Sequence, residues 1–180
     1  MNMQRARGYT LIETIVAIGL FAIVMLLVTG AYLEMIAIGR QAQAVASASD
    51  NLSFALESMA RSIRTGHAYK CNGVGDCFPG AGSSFTYSDI NNCTFTYRLL
   101  SNQIVEDESG GGSCPSLSAY PLTDPAITVL TLEFFAQGTT AGDNFQPQMT
   151  ISVGGTINSG PGKTVSFTVE TGATLRGPDI

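Results

Sequence analysis

Hydrophobic positions crowd into the first quarter of the chain. Most residues from Leu11 to Ile38 are apolar, and from Thr14 to Leu33 none carries a charge. A stretch of about 20 such residues is what a helix needs to cross a bilayer core. Its apolar residues cover every face, as a membrane span or filament core requires. From residue 40 the pattern changes. Val45, Leu52, Ala55, Leu56, Met59 and Ile63 recur at spacings of three, four and seven, while Arg40, Asp50, Glu57, Arg61 and Arg64 fall elsewhere. That periodicity predicts an amphipathic helix with its apolar stripe under a globular domain. No proline intervenes, so one helix is expected from about Thr10 to about Thr65, roughly 80 Å at 1.5 Å per residue. Gly66 is the expected C-cap, with Arg61 and Arg64 in the last turns. Gly19, Gly30 and Gly39 lie inside the run and read as points of close helix packing.

Beyond residue 66 the period shortens to two. Phe95, Tyr97 and Leu99 share one face of a strand over 94–100. Ser101-Asn102 then turns into a second strand over 103–107, which predicts a hairpin. Leu130, Leu132 and Phe134 are expected on one face of 128–135. Met149, Ile151 and Val153 form another such row, as do Val165, Phe167 and Val169. Residues 70–92 and 108–126, rich in glycine, serine and asparagine or proline, read as loop. The fold class is therefore α+β: a long N-terminal α-helix, membrane-spanning in its first half, packed against a C-terminal antiparallel β-sheet.

Charge narrows the function. The 180 residues carry a net charge of −5 and an isoelectric point near 4.7. Such a chain has no general attraction for phosphates, so nucleic acid is not an expected partner. Arg61, Arg64, His67 and Lys70 form a small basic cluster, better read as balancing the helix end. Arg5 and Arg7 precede the apolar run, which puts the N-terminus in the cytoplasm and the rest outside. An ordinary secretory signal peptide shares the basic start but is cut after the apolar stretch. The sequence AYLEMIAIG offers no clean small-x-small site for that. A plain retained anchor is the other alternative.

Glu13 breaks the pattern. It stands just past the start of the apolar run, where a carboxylate inside a membrane helix costs about 2.5–3.5 kcal/mol. Gly8-Tyr9-Thr10-Leu11-Ile12-Glu13, with basic residues before and an apolar stretch after, resembles the N-terminal signal of type IV pilins and pseudopilins. That resemblance implies cleavage between Gly8 and Tyr9 by a prepilin peptidase, which also methylates the new Tyr9 amine. Tyr9 replaces the commoner phenylalanine. Glu13 becomes the fifth residue of the mature chain, and the family's logic pairs it with the Tyr9 amine of a neighbouring subunit. Losing two arginines takes the formal charge from −5 to −7. The expected organisation is a leader over 1–8, a membrane or filament-core helix over 9–38, its amphipathic continuation over 39–66 and a β-domain over 67–180. Many pilins carry a helix-softening proline near Gly30, and Gly30 is positioned to supply that weak point. Residues 51–64, ending Leu56-Glu-Ser-Met59-Ala-Arg61-Ser-Ile63-Arg64, further resemble the helix ends of larger minor pseudopilins such as the J component of type II secretion.

Four cysteines, Cys71, Cys77, Cys93 and Cys114, follow the membrane span on the exported side. An even count there argues for two disulfides. Three pairings are open, and Cys71–Cys77 with Cys93–Cys114 closes local loops. No C-x-x-C pair is present and His67 is the only histidine, so no metal, cofactor or catalytic set is expected. Glu106-Asp107-Glu108 reads as a solvated acidic turn, with calcium binding as the alternative. The expectation is thus a non-enzymatic, structural subunit, minor rather than abundant, of a type IV pilus or secretion pseudopilus. Its partners would be the prepilin peptidase, other pilin or pseudopilin subunits, the inner-membrane assembly platform and membrane lipid. A membrane-tethered binding module or adhesin outside any filament is the alternative.

Overall fold

A computed structural model describes residues 8–110, 114, 116–139, 145–160 and 162–174. Arg5, Arg7, Gly111 and Gly112 lie outside them. The chain divides into two compact units, Met1–Ala42 and Gln43–Ile180. Helix α1 (Leu11–Thr65) begins in the first and ends in the second.

In the first unit every large apolar side chain from Leu11 to Ile38 is exposed. The helix is long and apolar enough to cross a membrane. It is unbroken at Gly19, Gly30 and Gly39, and a Cβ added at any of them would meet nothing within 4 Å. The close packing expected of these glycines is therefore not made within this chain.

The second unit wraps two antiparallel sheets around the amphipathic half of α1, where a single sheet was expected. Among the described residues its strands are β1 (His67–Cys71), β2 (Cys77–Gly82), β3 (Ser84–Ser88), β4 (Thr94–Leu100), β5 (Gln103–Ser109), β6 (Leu117–Pro121), β7 (Ile127–Gln137), β8 (Gln148–Gly160) and β9 (Lys163–Thr174). One sheet runs β1-β3-β4-β5-β6 and the other β2-β7-β8-β9. Leu52, Leu56, Met59 and Ile63 of the helix meet Phe85 and Tyr97 of the first sheet and Phe134, Ile151 and Val153 of the second. Met59 and Ile63 are wholly buried, and burying one such side chain stabilises by about 1.5–3 kcal/mol. Val45 packs at the margin of the same stripe.

Helix α1 ends differently from expectation. Gly66 is not in the left-handed region. Instead a Cβ there would lie 2.5 Å from Tyr87 Cδ2, so the glycine permits close approach of β3. The hydroxyl of Tyr69, on β1, donates to the Gly66 carbonyl and lies 3.0 Å from that of Ile63, supplying a partner for the helix's last carbonyls.

The β4–β5 hairpin has Ser101 at φ 50° and Asn102 at φ 62°, the two positive angles of a type I′ turn. This turn docks on β7: the Val129 N–H donates to the Asn102 carbonyl at 2.8 Å, and Asn102 Nδ2 donates to the Val129 carbonyl at 3.1 Å. At that place β7 slips register against β8, between Val129 and Thr131. The extra residue flips the pattern. Ile127 and Val129 point inward, then Leu132, Phe134 and Ala136, while Leu130 is 57% exposed rather than in the row expected.

Two more expectations fail on strands, while the row of Val165, Phe167 and Val169 does share one face of β9. Residues 70–92 form β2, β3 and the end of β1, and 108–126 contains β6. Glu106, Asp107 and Glu108 lie in β5, not in a turn, so their side chains alternate across the sheet. The row Val165, Phe167 and Val169 sits opposite Ile157, Gly155 and Val153 on the inner side, yet is only partly covered.

Candidate processing and assembly site

The Gly8–Tyr9 peptide precedes the helix. Gly8 and Tyr9 lie in irregular chain, and Tyr9 is 82% exposed. An exposed, non-helical peptide is what a protease requires.

Thr10 then starts the helix. Its Oγ1 accepts the Glu13 N–H at 3.3 Å, and its carbonyl accepts the Thr14 N–H at 3.3 Å. Thr10 is therefore the N-cap and Glu13 the third helical residue, the spacing of a capping box. Thr14 Oγ1 donates back to the Leu11 carbonyl at 2.8 Å. The local signal for this cap, Thr-x-x-Glu, stands in the sequence at Thr10 and Glu13. The cap matters electrically too. A helix N-terminus carries about half a positive charge, and a new amine at Tyr9 would add to it. Glu13 is the only acid before Glu34, so it alone can offset both. Among the described residues it makes no ion pair.

Residues 3–29 match the family model described as the prokaryotic N-terminal methylation motif. The chain carries the type IV pilin and pseudopilin signal. The prepilin motif covers Gly8, Tyr9, the Thr10 cap, Glu13 and the apolar run through Thr29. It implies processing by a prepilin peptidase and assembly with other pilins, and with the apolar helix it fits a single-pass inner-membrane anchor. No curated protein and no solved structure matches the chain.

The remaining candidates sort into structural roles. Cys71 pairs with Cys77, joining the end of β1 in one sheet to the start of β2 in the other. Cys93 pairs with Cys114, tying the start of β4 to the segment after β5. His67 Nε2 lies 3.3 Å from Asn92 Oδ1, and Arg64 reaches the Gly172 carbonyl at 3.5 Å. Among the described residues no group of acids, cysteines or histidines could hold a metal ion.

The acids of β5 do different work. Asp107 accepts from Arg98 Nε at 2.5 Å and from the Ala119 N–H at 2.6 Å. Arg98 holds its carboxyl below the usual range, against a smaller opposing effect of burial. Glu106, opposite Tyr97, is pushed up by burial despite a hydrogen bond from Tyr97. Asp76 is raised by burial but pulled lower overall by Thr139 and Gly138, whose N–H groups donate to it at 2.7 and 3.2 Å. These carboxylates hold loops and bulges, and none converges with another on a shared ligand position.

Proposed function

We propose that the chain is a non-enzymatic, structural minor subunit of a type IV pilus or type II secretion pseudopilus. The observation that carries this reading is the methylation motif at 3–29, with the Gly8–Tyr9 peptide exposed just ahead of a capped helix whose first half is largely apolar, its only charges being Glu13 and Glu34. The peptidase cuts after Gly8 on the cytoplasmic side, removes Arg5 and Arg7, and methylates the Tyr9 amine. The β-domain faces outward. Subunits enter the filament by packing their apolar helices, and Glu13 of an incoming subunit pairs with the Tyr9 amine of its neighbour. An unperturbed α-amine titrates near 7.7–8.0, and a carboxylate beside it favours the charged form. Pairing relieves the cost of a lone charge at membrane depth. The helix end from Leu56 to Arg64 supports a minor rather than an abundant role, by its likeness to larger minor pseudopilins.

Intact-mass analysis tests the reading directly. The mature chain should begin at N-methylated Tyr9, and a strain without the peptidase should retain 1–8. Its copy number in sheared filaments should fall well below that of the main subunit. Glu13→Ala should still insert in the membrane but enter filaments at least tenfold less often. An unchanged mass in the peptidase-null strain would favour a tethered binding module. Normal incorporation of Glu13→Ala would sink the pairing role.

A further inference from the structure

Among the described strands the two sheets end in four edges, β1, β6, β2 and β9. An open edge is a template for another strand, and proteins blunt edges by shortness, bulges, proline or charge. Three of these are blunted. β1 has five residues, slips register between His67 and Lys70, and holds Ala68 at φ 54°. β6 also has five, slips opposite Glu106 and Glu108, holds Ala119 at φ 51° and ends at Pro121. β2 slips against β7 and contains Pro79.

The fourth edge is the least protected: its pairing slips only at its first residue, between Asn158 and Gly160 of β8. β9 runs for twelve residues without proline and pairs in continuous register, 164–174 against 148–158 of β8. Its only charged residues are Lys163 and Glu170. On its inner side Val165 and Val169 are each 37% exposed and Phe167 is partly covered, so the apolar face extends one strand beyond its cover. Only the far end is secured: Ala173 is buried, and Arg64 holds the Gly172 carbonyl.

We propose that residues 163–171 of β9 receive an added strand from a neighbouring pilin-like subunit of different sequence. The unpaired backbone edge asks for an extended segment. The uncharged stretch 164–169 asks for a neutral one, with apolar side chains at every second position facing the Val165–Phe167–Val169 row. A second copy of this chain is the poorer occupant. Its other described edges are blunted, and two β9 edges pairing about a two-fold axis would close a pair that cannot extend. A strand contact of about nine residues is also at the small end of stable interfaces. It therefore holds where another contact already keeps the subunits together. This rests on the assembly reading above, in which the apolar helices provide that contact.

The test places a photo-crosslinking residue at Ser166 or Thr168 of the full chain in its own cells, with mass spectrometry of the adduct. The expected product joins β9 to a different chain that carries its own methylated N-terminus. Val165→Lys/Val169→Lys should lower its yield at least tenfold, and Val165→Thr/Val169→Thr, which keeps strand propensity, several-fold. Both variants should retain the Tyr9 start and both disulfides. An adduct with a second copy, an adduct with an unprocessed protein, no adduct, or a yield indifferent to both variants overturns the proposal. A correctly processed chain with no adduct refutes the added strand alone. A chain that keeps residues 1–8 refutes the assembly reading, and the proposed partner falls with it.

Discussion

At Gly82 a Cβ would come within 2.2 Å of the Phe134 carbonyl and within 3 Å of both sulfurs of the Cys71–Cys77 disulfide. No flexible side chain can yield there, because the obstacles are backbone and a covalent bridge. Gly82→Ala should therefore destabilise the β-domain by about 1–3 kcal/mol, read as a lower urea midpoint of the full chain in detergent. The residues that start the helix are of another kind. Thr10 and Glu13 act on their own first turn, so their pattern is visible in six consecutive residues. Gly82 is constrained by the Phe134 carbonyl, over fifty positions away, and by a disulfide that only the fold brings against it.

The elements follow the same division. The stripe from Leu52 to Ile63 and the hairpin around Ser101-Asn102 repeat with a regular period, and both are where the pattern puts them. β1, β2, β3 and β6 are only five or six residues long, and their partners rather than their own residues make them strands. In β7 a bulge, seated on the β4–β5 turn, turns Leu130 outward against an unbroken alternation. The first sheet also carries titrating groups whose burial ties stability to pH. Burial raises the pKa of Glu106, so its contribution is present below the unfolded value near 4.3 and lost as pH rises through the folded one. Glu106→Gln should therefore raise the urea midpoint at pH 7 and leave it little changed at pH 4. The tyrosines add a second loss at alkaline pH. Burial lifts Tyr69 to about 12 and Tyr97 further, so stability should fall once pH passes about 10, where an unfolded tyrosine ionises. A urea midpoint that stays level between pH 9 and 12 would contradict this.

For the molecule as a whole, the two disulfides differ in what they join. Cys71–Cys77 spans the sheets over a separation of 6 residues, and Cys93–Cys114 closes 21 residues beside one of them. Loop-closure entropy assigns about 2 kcal/mol to the first and about 3 to the second. Replacing each pair by alanine should lower stability by at least those amounts. The buried Cys71–Cys77 pair should exceed its entropic share, because its loss also leaves a cavity between the sheets. A loss of only about 2 kcal/mol for the Cys71–Cys77 pair in urea unfolding, below that of Cys93–Cys114, would show that the bridge between sheets has no such added role.

The sequence by itself determined the apolar helix, the methylation motif at its head with Glu13 in it, the stripe beneath the domain and the even set of cysteines. Each depends on residues close together along the chain, through helical period, membrane length or a contiguous motif. Only the tertiary structure decided that there are two sheets, that a bulge turns Leu130 out, that a tyrosine hydroxyl serves the helix end where a left-handed glycine was expected, and that β9 is left with an open edge. Those depend on which strands meet, and strand pairing is settled by backbone hydrogen bonds and packing between segments far apart in the chain.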